Sequence, residues 1–224
     1  MRRVLLLLTL LLCGTCALHA QLNFQFHYNY GHQFYEQTKS GSDITTTIEY
    51  SGRDRWGSNY ILVDFDYSHD NISRTYWEFE RELQFWKGPI SVRLEYCGSS
   101  LSHHMFDIGP TYTYLSPSKK SCLTATIMYL YNVGQTQKSS PKFSGFWMFD
   151  LAKSKVTLIG YLDAWEFSGF KFIAEPQLWV NLNAFKGVAK DFNLAIGGEV
   201  RVTYDLMLPD AWCAIPTVAL KWHF

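Results

Sequence analysis

The chain has 224 residues, with 20 basic against 20 acidic side chains, 17% aromatics and a mean hydropathy of −0.11. The balanced charge leaves no basic footprint for a nucleic-acid partner. No segment of residues 21–224 reaches the ~18 apolar residues that a membrane helix needs, so helical spans are excluded and only patterns with every second residue apolar could cross a bilayer.

Met1-Arg2-Arg3 is a short basic start, residues 4–12 are a run of Leu, Val and Thr, and Leu18-His19-Ala20 precedes Gln21. This pattern predicts a secretory signal peptide over 1–20, cleaved after Ala20, and a single domain over 21–224. Neither Cys13, preceded by Leu12, nor Cys16, preceded by Gly14-Thr15, fits the Leu-x-small-Cys pattern of a lipoprotein. Loss of Arg2 and Arg3 takes the balance of 20 and 20 to a net charge of −2. Cys97, Cys122 and Cys213 remain, a sparse odd set that makes no disulfide framework and no Cys/His zinc cluster; each reads as a small apolar filler.

Alternating segments separated by turn residues then recur along the chain. They predict strands at 22–30, 44–50, 60–67, 76–85, 90–96, 108–115, 122–131, 143–151, 156–166, 171–182, 192–205 and 215–224. In the first, Leu22, Phe24, Phe26, Tyr28 and Tyr30 share a face; in the third Ile61, Val63, Phe65 and Tyr67 do, and in the fifth Ile90, Val92, Leu94 and Tyr96. Arg81 interrupts the apolar face of the fourth. The last strand places Pro216, Val218, Leu220, Trp222 and Phe224 on one side, and Thr217, Ala219, Lys221 and His223 on the other. A final aromatic on such a strand resembles the assembly signal of bacterial outer-membrane barrels. That resemblance implies the barrel-assembly machinery as a partner through Phe224.

Spread over twelve strands, residues 21–224 give roughly 17 residues per strand and connection, against the ~9–11 that a membrane strand requires. The connections at 86–89, 116–121 and 152–155 are tight, and those at 32–43, 98–107 and 132–142 are longer and polar, as expected of short periplasmic turns and longer outer loops. Unpaired backbone groups are intolerable in hydrocarbon, so the strands must close on themselves. The expected fold is all-β: a closed antiparallel transmembrane β-barrel of about twelve strands in the bacterial outer membrane, in contact with its lipid. Pro110, Pro176 and Pro216 each lack a ladder N–H and predict local irregularity.

With the apolar faces in lipid, the alternates point inward. They include Asn23, Gln25, His27, Asn29, Thr45, Thr47, Glu49, Asp64, Asp66, Glu78, Glu80, Glu82, Arg93 and Glu95. Later strands add Asp150, Asp163, Glu175, Gln177, Asn181, Glu199, Arg201, Thr203 and Lys221, with the aromatics Phe146, Tyr161, Trp165 and Trp179. An Arg or Lys on a lipid face costs ~2–4 kcal/mol at the midplane, a cost that a polar lumen removes. Two readings follow. Either Arg93, Arg201 and Lys221 neutralise neighbouring carboxylates and fill a narrow barrel with a structural or surface role, or the same groups line a pore. In the second reading the candidate solute-binding residues are Glu49, Asp64, Asp66, Glu78, Glu80, Arg93, Glu95, Trp165, Glu175, Trp179 and Arg201. Aromatic faces beside carboxylates suit a base joined to a sugar, since stacking contributes ~1–3 kcal/mol per base in nucleic-acid proteins.

Ile44-Thr45-Thr46-Thr47-Ile48-Glu49-Tyr50, the Asp54-Arg55-Trp56 turn, the strand at 60–67 with Asp64 and Asp66, and Tyr76-Trp77-Glu78-Phe79-Glu80 together resemble the early strands of the Tsx-type nucleoside-specific channels. The likeness is best over 44–96, weak over 140–210, and nearest to the compact Tsx-like proteins of Bacteroides-type bacteria. It implies a twelve-stranded barrel that passes nucleosides by diffusion, with Glu49, Asp64, Asp66, Glu78 and Glu80 as lumen groups. Passive diffusion needs no cofactor, metal or catalytic residue.

Enzyme readings are weaker. The twelve-stranded outer-membrane phospholipases carry a His with a Ser two residues on and a distant Asn. Here His69-Asp70-Asn71-Ile72-Ser73 has the wrong order and reads as a loop. His103-His104 could ligate a metal but has no third ligand in view, and reads as solvated loop. Gly197-Gly198 reads as a strand bend rather than a phosphate site.

Overall fold

The computed structural model describes residues 21–36, 43–68, 71–101, 104–136 and 138–224. The expected signal peptide lies outside the described residues, as do His69, Asp70 and His103.

The strands are β1 (Gln21–Asn29), β2 (Ile44–Asp54), β3 (Gly57–Ser68), β4 (Asn71–Leu83), β5 (Ile90–Ser99) and β6 (Met105–Leu115). They continue as β7 (Ser121–Asn132), β8 (Ser139–Leu151), β9 (Val156–Glu166), β10 (Phe170–Ala174), β11 (Gln177–Asn181), β12 (Leu194–Tyr204) and β13 (Trp212–His223). A one-turn helix, α1 (Gly31–Phe34), follows β1. Each strand pairs antiparallel with its neighbour, and β13 returns to β1 with Gln25 opposite Lys221 and Phe26 opposite Leu220. That pairing closes the sheet. Both β10 and β11 pair with β9 and β12, so they are two halves of one strand and the wall has twelve positions.

The break falls at Glu175-Pro176, where proline cannot donate to the ladder. Glu175 N–H donates to Tyr161 O at 3.0 Å and Val200 N–H to Pro176 O at 3.0 Å, so the kink stays attached to both neighbours. The β6–β7 ladder likewise lapses at Gly109-Pro110, and the β12–β13 ladder next to Pro216. Two glycines allow neighbouring strands to pack closely: a Cβ on Gly109 would lie 1.9 Å from Ile127 O, and one on Gly197 2.0 Å from Leu178 O. The bend expected at Gly197-Gly198 is thus a close backbone approach.

The period-two pattern sorts the wall as expected. Leu22, Phe24 and Phe26 are exposed while Gln25 and His27 are buried; on β13, Val218 and Leu220 are exposed while Ala219 and Lys221 are buried. Exposed apolar side chains continue around the outside through Ile108, Tyr112, Ile127, Tyr129, Leu178 and Ile196, an apolar surface that fits lipid rather than water. Aromatic clusters rim both ends. Trp56–Phe85 and Phe192–Trp222 lie at one end, and Tyr96–Phe106 and Phe172–Trp212 at the other. Arg81, the charge on an outward face, sits near the first rim and is tied to Asp54 at 3.0 Å and Asn59 at 2.9 Å.

Three expectations are corrected. The polar stretches 98–107 and 132–142 are not wholly loop, because β6 starts at Met105 and β8 at Ser139. Asn71-Ile72-Ser73 opens β4 rather than lying in a loop. β6 and β8 thus begin inside stretches whose overall polar composition reads as loop, and their ladders continue there. Loop length does not sort the two ends: the connection at 182–193 lies at the end with the tight turns, and at the other β3 stops at Ser68, only two residues before β4 opens at Asn71.

Candidate functional site

The site is the lumen, and register builds it. Directly opposed residues share a face, so Glu49 on β2, Leu62 on β3, Glu78 on β4 and Cys97 on β5 form one inward row. The rows on either side hold Asp64 with Tyr76, and Tyr60, Glu80, Glu95 and Asp107. Glu49, Asp64, Asp66, Glu78, Glu80, Arg93, Glu95, Trp165, Glu175, Trp179 and Arg201 therefore all lie on the lumen side.

Hydroxyls and amides orient the carboxylates. Thr47 donates to Asp64 at 2.5 Å, Thr45 to Asp66 at 2.6 Å, Tyr60 to Glu49 at 3.0 Å and Tyr76 to Glu78 at 2.9 Å. Asn23 donates to Glu49 at 2.8 Å and Gln177 to Glu199 at 3.1 Å. Arg201 binds Glu175, presented from the Pro176 break, and lies 4.0 Å from Glu199. Arg93 lies 3.5 Å from Glu80.

The strongest ionic cluster was not anticipated. Lys142 Nζ lies 2.7 Å from Glu95, 3.0 Å from Asp107 and 3.1 Å from Asp163, and is buried. Lys142 and Asp107 fall in stretches expected to be loop. The signal that could have found Lys142 was its alternation with Ser144 and Phe146, which carries the inward face back past Phe143.

Lys221 departs from expectation. Among the described residues it makes no carboxylate ion pair; its ammonium sits 4.1 Å from the centroid of the Trp179 ring. His27 meets the same ring edge-on at 6.1 Å, and the indole N–H donates to Gln177 at 3.0 Å. Trp179 is consequently 2% exposed, and its face is taken by the lysine rather than open for stacking. Trp165, opposite Lys142 and Lys171, remains half-buried.

The lumen is unevenly filled. On one wall Ser91, Thr111 and Thr126 are fully buried, with Thr111 and Thr126 hydroxyls 2.9 Å apart. On the other, a cavity of about 30 Å³ lies between β1–β3 and β11–β13, lined among others by His27, Glu49, Asp64, Glu175, Glu199 and Arg201. That volume holds about two waters. Arg93 Nε, Asp107 Oδ1 and Asp163 Oδ1 are buried without protein partners, and such groups require hydration.

Carboxylates outnumber Lys and Arg in this interior, so its field favours cationic and neutral solutes over anions. Glu78, Glu80 and Glu95 bring oxygens within 4.8 Å of one another, a geometry that could hold a cation. Arg93 and Lys142 already supply positive charge there. His104 packs on Tyr96 and accepts or donates a 2.7 Å hydrogen bond with its hydroxyl, which makes it part of the aromatic rim. Cys97, Cys122 and Cys213 are free. At the rim opposite the tight turns, hydrogen bonds from Lys171 and from Asp210 N–H hold the Asp205 carboxyl below its ordinary range.

A family model described as "Domain of unknown function (DUF5020)" matches residues 20–224. No curated protein matches the chain significantly. Among solved structures, the chain is similar to the KdgM porin, at 9% identity and TM-score 0.55, covering 91% of this chain and 99% of that one. It matches the KdgM porin in complex with disordered oligogalacturonate equally well. The NanC porin aligns at 9% identity and TM-score 0.58, covering 90% of this chain and 98% of the other. At these identities the likeness establishes the barrel fold.

Proposed function

The chain belongs to the family described as a domain of unknown function (DUF5020), and we propose that its barrel is a passive outer-membrane conduit for small polar solutes, nucleosides foremost. The observation that carries this reading is a carboxylate-rich interior inside an apolar wall. The porin-like fold and the expected leader support the outer-membrane location. Conduction needs solute contacts weak enough to release, so the lumen groups are assigned a guiding and not a catalytic role.

For nucleosides the support is the resemblance of residues 44–96 to Tsx-type channels, together with the lumen placement of the five acids carried over from it. Stacking falls to Trp165 and Tyr161, because Lys221 covers Trp179. Passage of a solute that large requires the charged side chains around the cavity to swing aside. A polyanion such as the oligogalacturonate bound by the KdgM porin is disfavoured by the excess of carboxylates.

A second reading has its own observation. The cavity of about 30 Å³ and the buried Lys142 cluster fit a barrel filled by its own side chains, serving through its surface. Flux through purified protein in liposomes, comparing nucleosides with sugars of similar size, separates the two. Faster nucleoside entry supports the channel; equal entry removes nucleoside selectivity; no flux of either leaves the filled barrel.

A further inference from the structure

The end of the barrel that carries the β2–β3 turn is ringed by cations the lumen does not use. Each connection there contributes: Arg55 in the β2–β3 turn, Lys87 between β4 and β5, Lys119 between β6 and β7, Lys153 between β8 and β9, and Lys186 between β11 and β12. All five are exposed, and among the described residues none forms an ion pair with a carboxylate. The acids at this end are fewer. Asp54 is bound by Arg81 at 3.0 Å and Asp150 by Lys120 at 3.4 Å, which leaves Asp191. At the opposite end the pattern reverses: Arg74 and Lys171 are paired with Asp66 and Asp205.

Two cations at this end rest on aromatic rings. Arg55 lies 4.4 Å from the centroid of Trp56, and Lys155 lies 5.1 Å from that of Phe185. Trp56 packs against Phe85 at 5.3 Å on the same outer surface. Interfacial aromatics mark headgroup level, so cations resting on them lie where lipid phosphates lie.

The geometry points to this ring as a binding surface for anionic phospholipid headgroups in the leaflet that meets the β2–β3 turn. It is continuous with the lipid-facing wall, and its charge complements that partner. The ring goes beyond the conduit reading, since it acts on the outside of the barrel and is indifferent to what the lumen passes. Each cation that reaches an anionic headgroup contributes about fivefold in local lipid preference at low salt.

The test is native mass spectrometry of the folded protein in mixed micelles with equal phosphatidylglycerol and phosphatidylcholine, counting retained lipids. The expectation is about a fivefold or greater excess of phosphatidylglycerol, abolished in K87Q/K119Q/K153Q/K186Q and unchanged in K138Q at the opposite end. Heat-modifiable migration on gels reports that each variant is folded. Should the fourfold variant not fold, the wild type decides: its preference should disappear in 1 M salt, where the screening length is about 3 Å. Equal retention of the two lipids, or a preference that survives the substitutions or the salt, would overturn the assignment and leave the ring to an acidic protein partner.

Discussion

Lys142 on β8 reaches Glu95 on β5 at 2.7 Å, a contact between strands separated by two others around the wall. Asp107 and Asp163 complete the cluster from β6 and β9. A single ammonium thus cross-links one side of the lumen and compensates three carboxylates that would otherwise repel.

Lys142→Met should therefore destabilise the barrel strongly. Removing one member of a buried ionic set leaves the others uncompensated, at a cost of about 3–5 kcal/mol. Urea titration followed by the heat-modifiable band should give a lower midpoint, and E95Q/D107N in the same background should restore part of the loss. An unchanged midpoint for Lys142→Met would show that the cluster is hydrated and its charges screened.

Asp64→Ala with Glu78→Ala should change selectivity while leaving assembly intact. Both carboxylates face the lumen and neither holds a salt bridge at 4.0 Å or less among the described residues. Their removal weakens the negative field and should lower the preference for cationic over anionic solutes by up to about tenfold at low salt. Liposome flux with matched cationic and anionic solutes measures this. Loss of heat-modifiable folding in the double variant would instead favour the filled barrel.

Trp179→Ala should open the lumen. The ring supports the Lys221 ammonium and is 2% exposed, so truncation removes packing worth about 3–5 kcal/mol and frees the lysine to move. Thermal stability should fall while solute flux rises. A fall in stability with no gain in flux would place the constriction elsewhere, beside the Lys142 cluster.

Gly109→Ala tests the close approach of β6 to β7. The added methyl would lie 1.9 Å from Ile127 O, a contact with backbone that cannot rotate away. Separating the strands should cost on the order of 3 kcal/mol, in the upper range for single substitutions. A slower and less complete shift to the folded gel band checks it.

Much of this was legible in the residues. Alternation in 215–224 and 22–30 separates a lipid face from a lumen face, and a prediction from β9 alone, 156–166, coincides with the observed strand. Asp64, Glu78 and Arg201 could be assigned inward because a strand has only two sides. Pro176 announced a break, and the break is where Glu175 turns to Arg201. Lys142 and Asp107 were hidden because each closes a polar stretch that reads as loop, and the alternation they belong to, with Phe143 exposed beside Lys142 and Phe106 and Ile108 exposed beside Asp107, begins inside that stretch.

Partnership is a different matter. Period two says that Lys142, Glu95 and Lys221 point inward, since side chains must alternate about a pleated backbone. It says nothing about who meets whom. That depends on how far each strand is staggered against the next and on the curvature with which twelve strands close, both of which accumulate around the whole ring. Closure set Lys142 among three acids from three other strands, set Lys221 on an indole instead of a carboxylate, and left a cavity of about 30 Å³ along one wall. The faces were written in the local pattern; the contacts across the lumen exist only once the ring is shut.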